Sequence, residues 1–421
     1  MKILATGDLH IGRSSARIPD AVESSDLRSS GAWERIVDHA LAERVAVVLL
    51  AGDVVDCNNG FWEAYGPLER GVLRLGEQGV RCVAVAGNHD HQVMRRLASS
   101  MPGDFFSLLG ATAWSRLVLR DRNDHPALAV DGWSFGERRV SESALNCYDL
   151  HDPDDGVPLL GMIHGDLGVA DSRYNPLDTE HLLSLPPQVW ILGHTHQHRV
   201  IGGERWICYP GSPQALDPGE PGSHGPVLFE LSGGRFTRPQ LLPISSVAYE
   251  SLEVDMSTVE EADAVEGHIL RAIRDFAVST VSGGHLHHLS LRLTMSGTCP
   301  YAAEVESCCR NLLDGIDVSV EDVAIHLDSV ISTVIPPIDL EELAGSRTAI
   351  GTAARLLLEL EDQGRKQTDE TFALLQDARR RFLSESGRVG CGDVAVDETA
   401  IRLRLARQTR RVLLKMLGDQ S

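Results

Sequence analysis

Seven residues of three types, set in short motifs, define the chemistry open to this chain. They are Asp8 and His10 in GDLH, Asp53 in GDVVD, Asn88 in GNHD, His164 in MIHGD, and His194 with His196 in GHTH. Carboxylate, amide and imidazole donors with no thiolate suit hard-to-borderline divalent ions: Mn²⁺ first, with Fe²⁺, Mg²⁺ or a mixed pair as alternatives. Asp8 and His10, and again His194 and His196, have the i, i+2 spacing that lets one turn direct two side chains toward one ion. A pair of ions about 3.5–4 Å apart can clamp the attacking and leaving oxygens of an in-line phosphoryl displacement. Such a pair needs a bridging carboxylate. Asp53 is the candidate, because Gly52 before it lets the backbone approach the cleft. His89 follows Asn88 and precedes Asp90, so it can protonate a leaving oxygen or stabilise phosphate charge while Asp90 orients its imidazole.

The elements that must position these residues are legible just upstream of each motif. KILATGD, VAVVLLAGD, VRCVAVAGNHD, VPLLGMIHGD and VWILGHTH all contain runs of Val, Ile and Leu with the continuous hydrophobicity of strands buried on both faces. Each motif therefore sits at the carboxyl end of a strand, where loops distant in sequence converge on one cleft. Helices are expected over 33–44, with Ile36, Val37, Ala40 and Leu41 on one face, and over 62–77, with Leu68, Val72 and Leu75. After residue 110 shorter segments, WSRLVLR and ALAVDGWSFG, predict a second sheet packed in a sandwich.

Taken together, GDLH, GDVVD, GNHD, MIHGD and GHTH resemble the calcineurin-like metallophosphoesterase superfamily. The downstream YPGSPQALDPGEPGSHGPVLFEL resembles the SbcD-type DNA repair nucleases, so that the likeness spans residues 1 to about 235. The resemblance implies a layered α/β/β/α core and two ions, one held by Asp8, His10, Asp53 and His196, the other by Asp53, Asn88, His164 and His194. It implies His89 as the catalytic histidine, water as the nucleophile, and a DNA phosphodiester as substrate. Asp56 stands where nucleases of this kind often have a histidine that assists exonuclease action, a departure that leaves the metal chemistry intact. The resemblance further implies a smaller α/β capping domain that positions DNA, a stabilising or dimer-supporting domain being the alternative, and C-terminal helices that grip an SbcC-type SMC-like ATPase; a homodimer is expected. No P-loop is present here, so ATP-driven gating would come from that separate protein.

The residues divide as 1–239 for the metallophosphoesterase domain, 240–335 for the α/β capping domain and 336–421 for a helical partner-binding region. VAYESLEVD, EADAVEGHILRAIRDFA, HLSLRLTM, AAEVESCCRNLL and VEDVAIHL alternate strand and helix. Pro336 and Pro337 then interrupt regular structure, and charged helices follow, broken at Gly387 to Gly392. In the last helix Ile401, Leu405, Val412 and Met416 form an apolar stripe that wants a partner, its own chain being the default.

Composition bounds the rest. The chain has 421 residues, room for two or three domains, and a formal charge of −21 that argues against simple electrostatic capture of nucleic acid. Local arginines, at 138–139 and 379–381, read first as solvated surface. With neither a signal segment nor a membrane-length apolar run, a soluble cytoplasmic protein is expected. The eight cysteines show no CxxC pairing, which fits a reducing compartment. His39, His125, His151, His181, His268 and His326 read as structural histidines, and His285, His287 and His288 as a cluster without matching ligands elsewhere. His91 and His198 border the motifs. Trp33, Trp62 and Trp206 read as packing residues rather than base-stacking platforms. The reading is a two-metal DNA nuclease subunit; the alternatives are a small-substrate phosphodiesterase or phosphatase of the same superfamily, or a scaffold tethering DNA to an ATPase.

Overall fold

A computed structural model describes residues 1–18, 27–111, 113–121, 123–153, 156–280, 284–315, 318–362, 365–386 and 398–418. Its core explains the unbroken apolar runs by alternation, since successive strand residues face opposite sides. In β1 (Lys2–Thr6), β2 (Val47–Ala51) and β3 (Arg81–Val85), Ile3, Ala5, Val47, Leu49, Val83 and Val85 face a central core, while Leu4, Val48, Leu50, Cys82 and Ala84 face a helical layer. These strands run parallel, with β4 (Phe106–Leu108) beside β3.

The second sheet contains β5 (Ser115–Arg120), β6 (Pro126–Trp133) and β7 (Leu159–His164). A two-stranded pair follows, β8 (Asp166–Leu167) with β9 (Pro176–Leu177). Then β10 (Val189–Gly193), β11 (Arg199–Gly202) and β12 (Trp206–Tyr209) complete the order β11-β12-β10-β7-β6-β5. Leu128, Val130, Leu160, Met162, Val189 and Ile191 meet the first sheet in the central core. The chain then returns as β13 (Val227–Ser232), antiparallel to β1, with β14 (Arg235–Phe236) and β15 (Gln240–Leu241) attached to it. Helices α1 (Ser29–Ala42), α2 (Phe61–Gly76) and α3 (Val93–Ser100) cover the first sheet, and α4 (Thr179–Ser184) packs on the second. The result is the expected α/β/β/α layering.

Trp33 and Trp206 are buried, but Trp62 is 82% exposed and corrects its expected packing role. Buried residues of α2 are Ala64, Leu68, Gly71, Val72, Leu75 and Gly76, and position 62 lies off that face. Gly71 is where α1 and α2 meet. A β-carbon there would lie 2.3 Å from Trp33 Nε1, which donates to the Pro67 carbonyl at 3.0 Å. Gly71→Ala is therefore expected to lower stability by about 1–3 kcal/mol through overpacking, read as a reduced urea midpoint with unchanged slope.

A further sheet follows in β16 (Val247–Asp255), β17 (His288–Ser296), β18 (Val318–Val320) and β19 (Val323–Ser332), ordered β16-β17-β19-β18. β16, β17 and β19 are parallel, so they need crossovers, which α5 (Ala264–Thr280) and α6 (Ala302–Asp314) supply. Gln214 Nε2 donates to Ser246 Oγ at 2.9 Å and Arg17 pairs with the buried Asp328 at 2.9 Å, fastening this sheet to the sandwich.

The chain forms two compact units, Met1–Val334 and Ile335–Ser421. The second holds α7 (Leu340–Ala344), α8 (Ala349–Glu361), α9 (Asp369–Ser386) and α10 (Glu398–Gly418). Asp339 and Thr348 cap α7 and α8 with side-chain oxygens. α10 packs within this unit, burying Ile401, Ala406 and Leu413 beside Leu357 and Leu360 of α8, and Arg410 pairs with Glu361. Val412, expected on the apolar stripe, is 54% exposed, and Leu413 takes the buried place. The break expected at Gly387 to Gly392 lies outside the described residues. Among them, no helix is long and apolar enough to cross a membrane.

Candidate metal centre

β1, β2, β3, β7 and β10 all end at one edge of the sandwich. Each delivers its motif there: Asp8 and His10 after β1, Asp53 after β2, Asn88 to Asp90 after β3, His164 as the last residue of β7, and His194 just past β10. The loops are stitched together by their backbones, with Asp8 N on Gly52 O at 3.0 Å, His10 N on Asp53 O at 2.9 Å and Gly165 N on Gly193 O at 3.1 Å. Asp8, His10, Asp53 and His194 take positive φ, at 52°, 47°, 48° and 104°. Non-glycine residues adopt this conformation rarely, and its cost of about 1–3 kcal/mol each persists where the surrounding structure enforces it. Glycine is required beside them. A β-carbon on Gly87 would lie 2.2 Å from Asp53 Oδ1, and one on Gly193 would lie 1.9 Å from Ala51 O and 2.6 Å from His164 Nδ1.

The donors gather in two groups. Asp8, His10 and His196 form one, and Asp53, His164 and His194 the other, each with ligand atoms within 4.8 Å of one another, and His10 also meets Asp56 and His89 in an overlapping third cluster of the same spacing. In the first, His10 Nε2 and His196 Nε2 face each other at 3.2 Å. The other nitrogen of each ring is on a carboxylate: His10 Nδ1 lies 3.1 Å from Asp56 Oδ1, and His196 Nδ1 2.6 Å from Glu220 Oε1. With both Nδ1–H groups donated, two Nε2 lone pairs converge, an arrangement that a cation satisfies. In the second group His164 Nδ1 donates to Ala51 O at 3.1 Å, which aims Nε2 at Asn88 Oδ1 (3.0 Å) and Asp53 Oδ2 (3.3 Å). His194 Nδ1 lies 3.1 Å from the same Asn88 oxygen, while its Nε2 faces Asp166 Oδ1 at 3.2 Å. Imidazole nitrogens and side-chain oxygens again converge. The donor set fits two divalent cations.

The electrostatics agree. Burial would raise the Asp53 carboxyl, but the adjacent His164 holds it well below the usual carboxylate range. Burial would likewise lower His164, yet Asp53 outweighs it and pushes the imidazole up to about 9. Without cations, a proton on His164 balances the buried carboxylate. Asp90, fully buried and close to Asp53, is raised to about 7, chiefly by burial.

His89 is half-buried beside both groups. Its backbone N–H donates to Asp53 Oδ1 at 2.8 Å and its Nδ1 lies 2.9 Å from the carbonyl of Asp56. The Asp90 carboxylate, expected to orient the His89 ring, is turned instead onto backbone N–H groups of Val54 (2.7 Å), Val55 (3.3 Å) and Gly87 (2.8 Å). It pins the turns carrying Asp53 and Asn88, and a backbone carbonyl orients His89. Three carboxylates not expected as supports touch the histidines of the two groups: Asp56, Asp166 and Glu220. Asp56 and Asp166 lie inside the motifs, but Glu220 reaches His196 from 24 residues away with no spacing signal.

The remaining histidines fall outside the two groups. His91 Nδ1 lies 3.2 Å from the Asn88 carbonyl, and His198 meets Tyr209 O instead. His285 pairs with His39 and His288 with His326, both at 3.1 Å, and no third ligand joins either pair among the described residues.

Residues 1–198 match the calcineurin-like phosphoesterase family model. The chain is 24% identical over 308 residues to the uncharacterized metallophosphoesterase YhaO of Bacillus subtilis, covering 71% of this chain and 72% of that one. It is 24% identical over 269 residues to the SbcD component of the nuclease SbcCD of Escherichia coli K12, covering 56% and 66%. The chain thus spans about two thirds of the length of that nuclease component. A dimetal phosphatase from Danio rerio superposes with a TM-score of 0.35 at 13% identity, over 55% of this chain and 93% of that one. Strand-end motifs, converging donors and the family match lead to one assignment: residues 1–198 form a calcineurin-like phosphoesterase domain, of a family of metal-dependent phosphoester hydrolases.

Proposed function

We propose that this protein is a DNA nuclease, hydrolysing phosphodiester bonds with two Mn²⁺ ions as an SbcD-like subunit of a DNA end-processing complex. The observation that carries the hydrolytic part is the convergence of seven donors on two groups, with His89 tethered to Asp53 alongside. Asp8, His10, Asp53 and His196 would hold one ion, and Asp53, Asn88, His164 and His194 the other. Bound there, the ions would supply positive charge to the phosphoryl oxygens and ease deprotonation of the attacking water. His89, with Nδ1–H fixed on the Asp56 carbonyl, keeps Nε2 to protonate the leaving 3′ or 5′ oxygen. Asp90 contributes by locking the loops that carry Asp53 and Asn88.

The choice of DNA draws support from two further features. The likeness to nuclease components covers 56% of this chain, more than the residues 1–198 of the family match. An open groove also begins one residue past His10; Arg13, Ser14, Arg28 and Ser30 line it with the guanidinium and hydroxyl donors a phosphate backbone uses, set against one carboxylate, Glu63. On this reading residues 240–335 cap the cleft, residues 336–421 dock on a separate SMC-like ATPase, and the protein works as a homodimer in the cytoplasm.

Purified protein with Mn²⁺ is expected to cleave end-labelled linear or hairpin DNA, with chelator abolishing cleavage. Intact DNA under every condition, beside rapid turnover of bis(p-nitrophenyl) phosphate, would replace this reading with a small-substrate phosphodiesterase. Inertness toward both substrates, with the ATPase partner still bound through residues 336–421, would leave a scaffold.

A further inference from the structure

The two donor groups are supported unequally. In the first, both imidazoles are backed by carboxylates, His10 by Asp56 at 3.1 Å and His196 by Glu220 at 2.6 Å. In the second, His164 rests on a neutral carbonyl, and only His194 has a carboxylate behind it, Asp166 at 3.2 Å. The direct donors differ in the same sense, since Asp8 belongs to the first group while the uncharged Asn88 serves the second.

Glu220 is built into place. Its side chain is 13% exposed, and its second oxygen accepts from Leu216 N at 2.9 Å and lies 3.5 Å from Ser212 Oγ. Ser212 N in turn donates to the carbonyl of His196 at 2.9 Å, so the contact closes on the backbone of the histidine it serves. The turn carrying Glu220 is tied to β16, because Gly222 N donates to Glu250 Oε1 at 3.2 Å. Asp56 is anchored by its own N–H on Ile11 O at 3.1 Å, and its carbonyl holds His89.

We propose that Asp56 and Glu220 are positioning residues for the Asp8–His10–His196 ion site and make it the tighter of the two. The inference rests on the two-ion reading above and adds an order of filling to it. A carboxylate accepting Nδ1–H fixes the tautomer, holds the ring in plane and raises the basicity of Nε2, and its loss commonly weakens metal affinity about 10–100-fold. The same carboxylate gives Asp56 a task of its own, as the brace of His10.

Mn²⁺ titrated calorimetrically into the ion-free, full-length protein tests this without any catalytic readout. Wild type is expected to show two events of different affinity. Glu220→Ala and Asp56→Asn should each weaken the tighter event about 10–100-fold and leave the looser one in place. Glu220→Gln, which keeps the volume and an acceptor oxygen, should recover part of the loss, and far-UV circular dichroism with a thermal midpoint verifies its fold. Glu204→Gln removes a carboxylate that is 92% exposed and should change neither event. Two wild-type affinities in both Glu220→Ala and Asp56→Asn would overturn the inference while leaving the two-ion site standing. Equal weakening of both events would overturn it too, by showing a general loss of charge. A wild-type protein that binds no Mn²⁺ would overturn the two-ion reading itself.

Discussion

His89→Ala is expected to reduce Mn²⁺-dependent DNA cleavage by about 10²–10⁴-fold, the usual contribution of a positioned general acid, while leaving both ions bound. His89 is assigned to neither ion, although its ring shares a third cluster with His10 and Asp56, and its link to Asp53 runs through its backbone N–H, which alanine retains. What alanine removes is the imidazole whose Nδ1 is fixed on the Asp56 carbonyl. The loss should depend on the leaving group. A DNA alkoxide needs a proton as the P–O bond breaks, whereas a p-nitrophenolate leaves without one, so the variant should retain far more activity on an aryl phosphodiester than on DNA. Steady-state rates on both substrates, with Mn²⁺ binding measured in parallel, check this. A variant as fast as wild type on DNA, or equally slow on both substrates with its ions bound, would remove His89 from the proton-transfer role.

That prediction depends on geometry that was only partly legible in the sequence. The sandwich was legible because burial on both faces leaves β1, β2, β3, β7 and β10 almost continuously apolar before their motifs. The donors were legible as a set, because Asp, Asn and His at successive strand ends must converge once the strands share one edge. Orientation was not. Asp90 is adjacent to His89, yet its buried carboxylate accepts from the backbone N–H groups of Val54, Val55 and Gly87. The group that does hold His89 is a carbonyl, which carries no side-chain identity and leaves no trace in a sequence. Glu220 was hidden for another reason: its partner His196 is set by loop closure over 24 residues rather than by periodicity. Trp62 shows the limit of composition. An indole within a helical segment suggests packing, but only its angle around α2 decides, and Ala64, Leu68 and Val72 define a face that excludes it.

Asp53→Asn is expected to have the largest effect on the centre, because Asp53 is the one carboxylate assigned to both ions. Its Oδ2 lies 3.3 Å from His164 Nε2 in the second group, and burial leaves its charge little solvent screening. Asparagine keeps the shape and one acceptor oxygen but removes the negative charge that offsets two dications, and burying uncompensated charge in such a site is strongly unfavourable. Removing one charge should thus weaken both ions together, in contrast to the single-site effect expected at Glu220. Linkage makes this measurable without substrate. A ligand at 100 times its Kd stabilises the folded state by about 2.7 kcal/mol, so wild type should gain several degrees in Tm on Mn²⁺ addition. Asp53→Asn should gain almost nothing, and its DNA cleavage should fall by at least about 10³-fold, the scale of losing a main source of electrostatic stabilisation. Losing that carboxylate also strips His164 of the partner that keeps it protonated near pH 7 in the ion-free protein, so its ring is expected to become neutral there. An Asp53→Asn protein that still binds two Mn²⁺ ions at wild-type affinity would show that the ions do not share this residue, and the bridged arrangement would have to be abandoned.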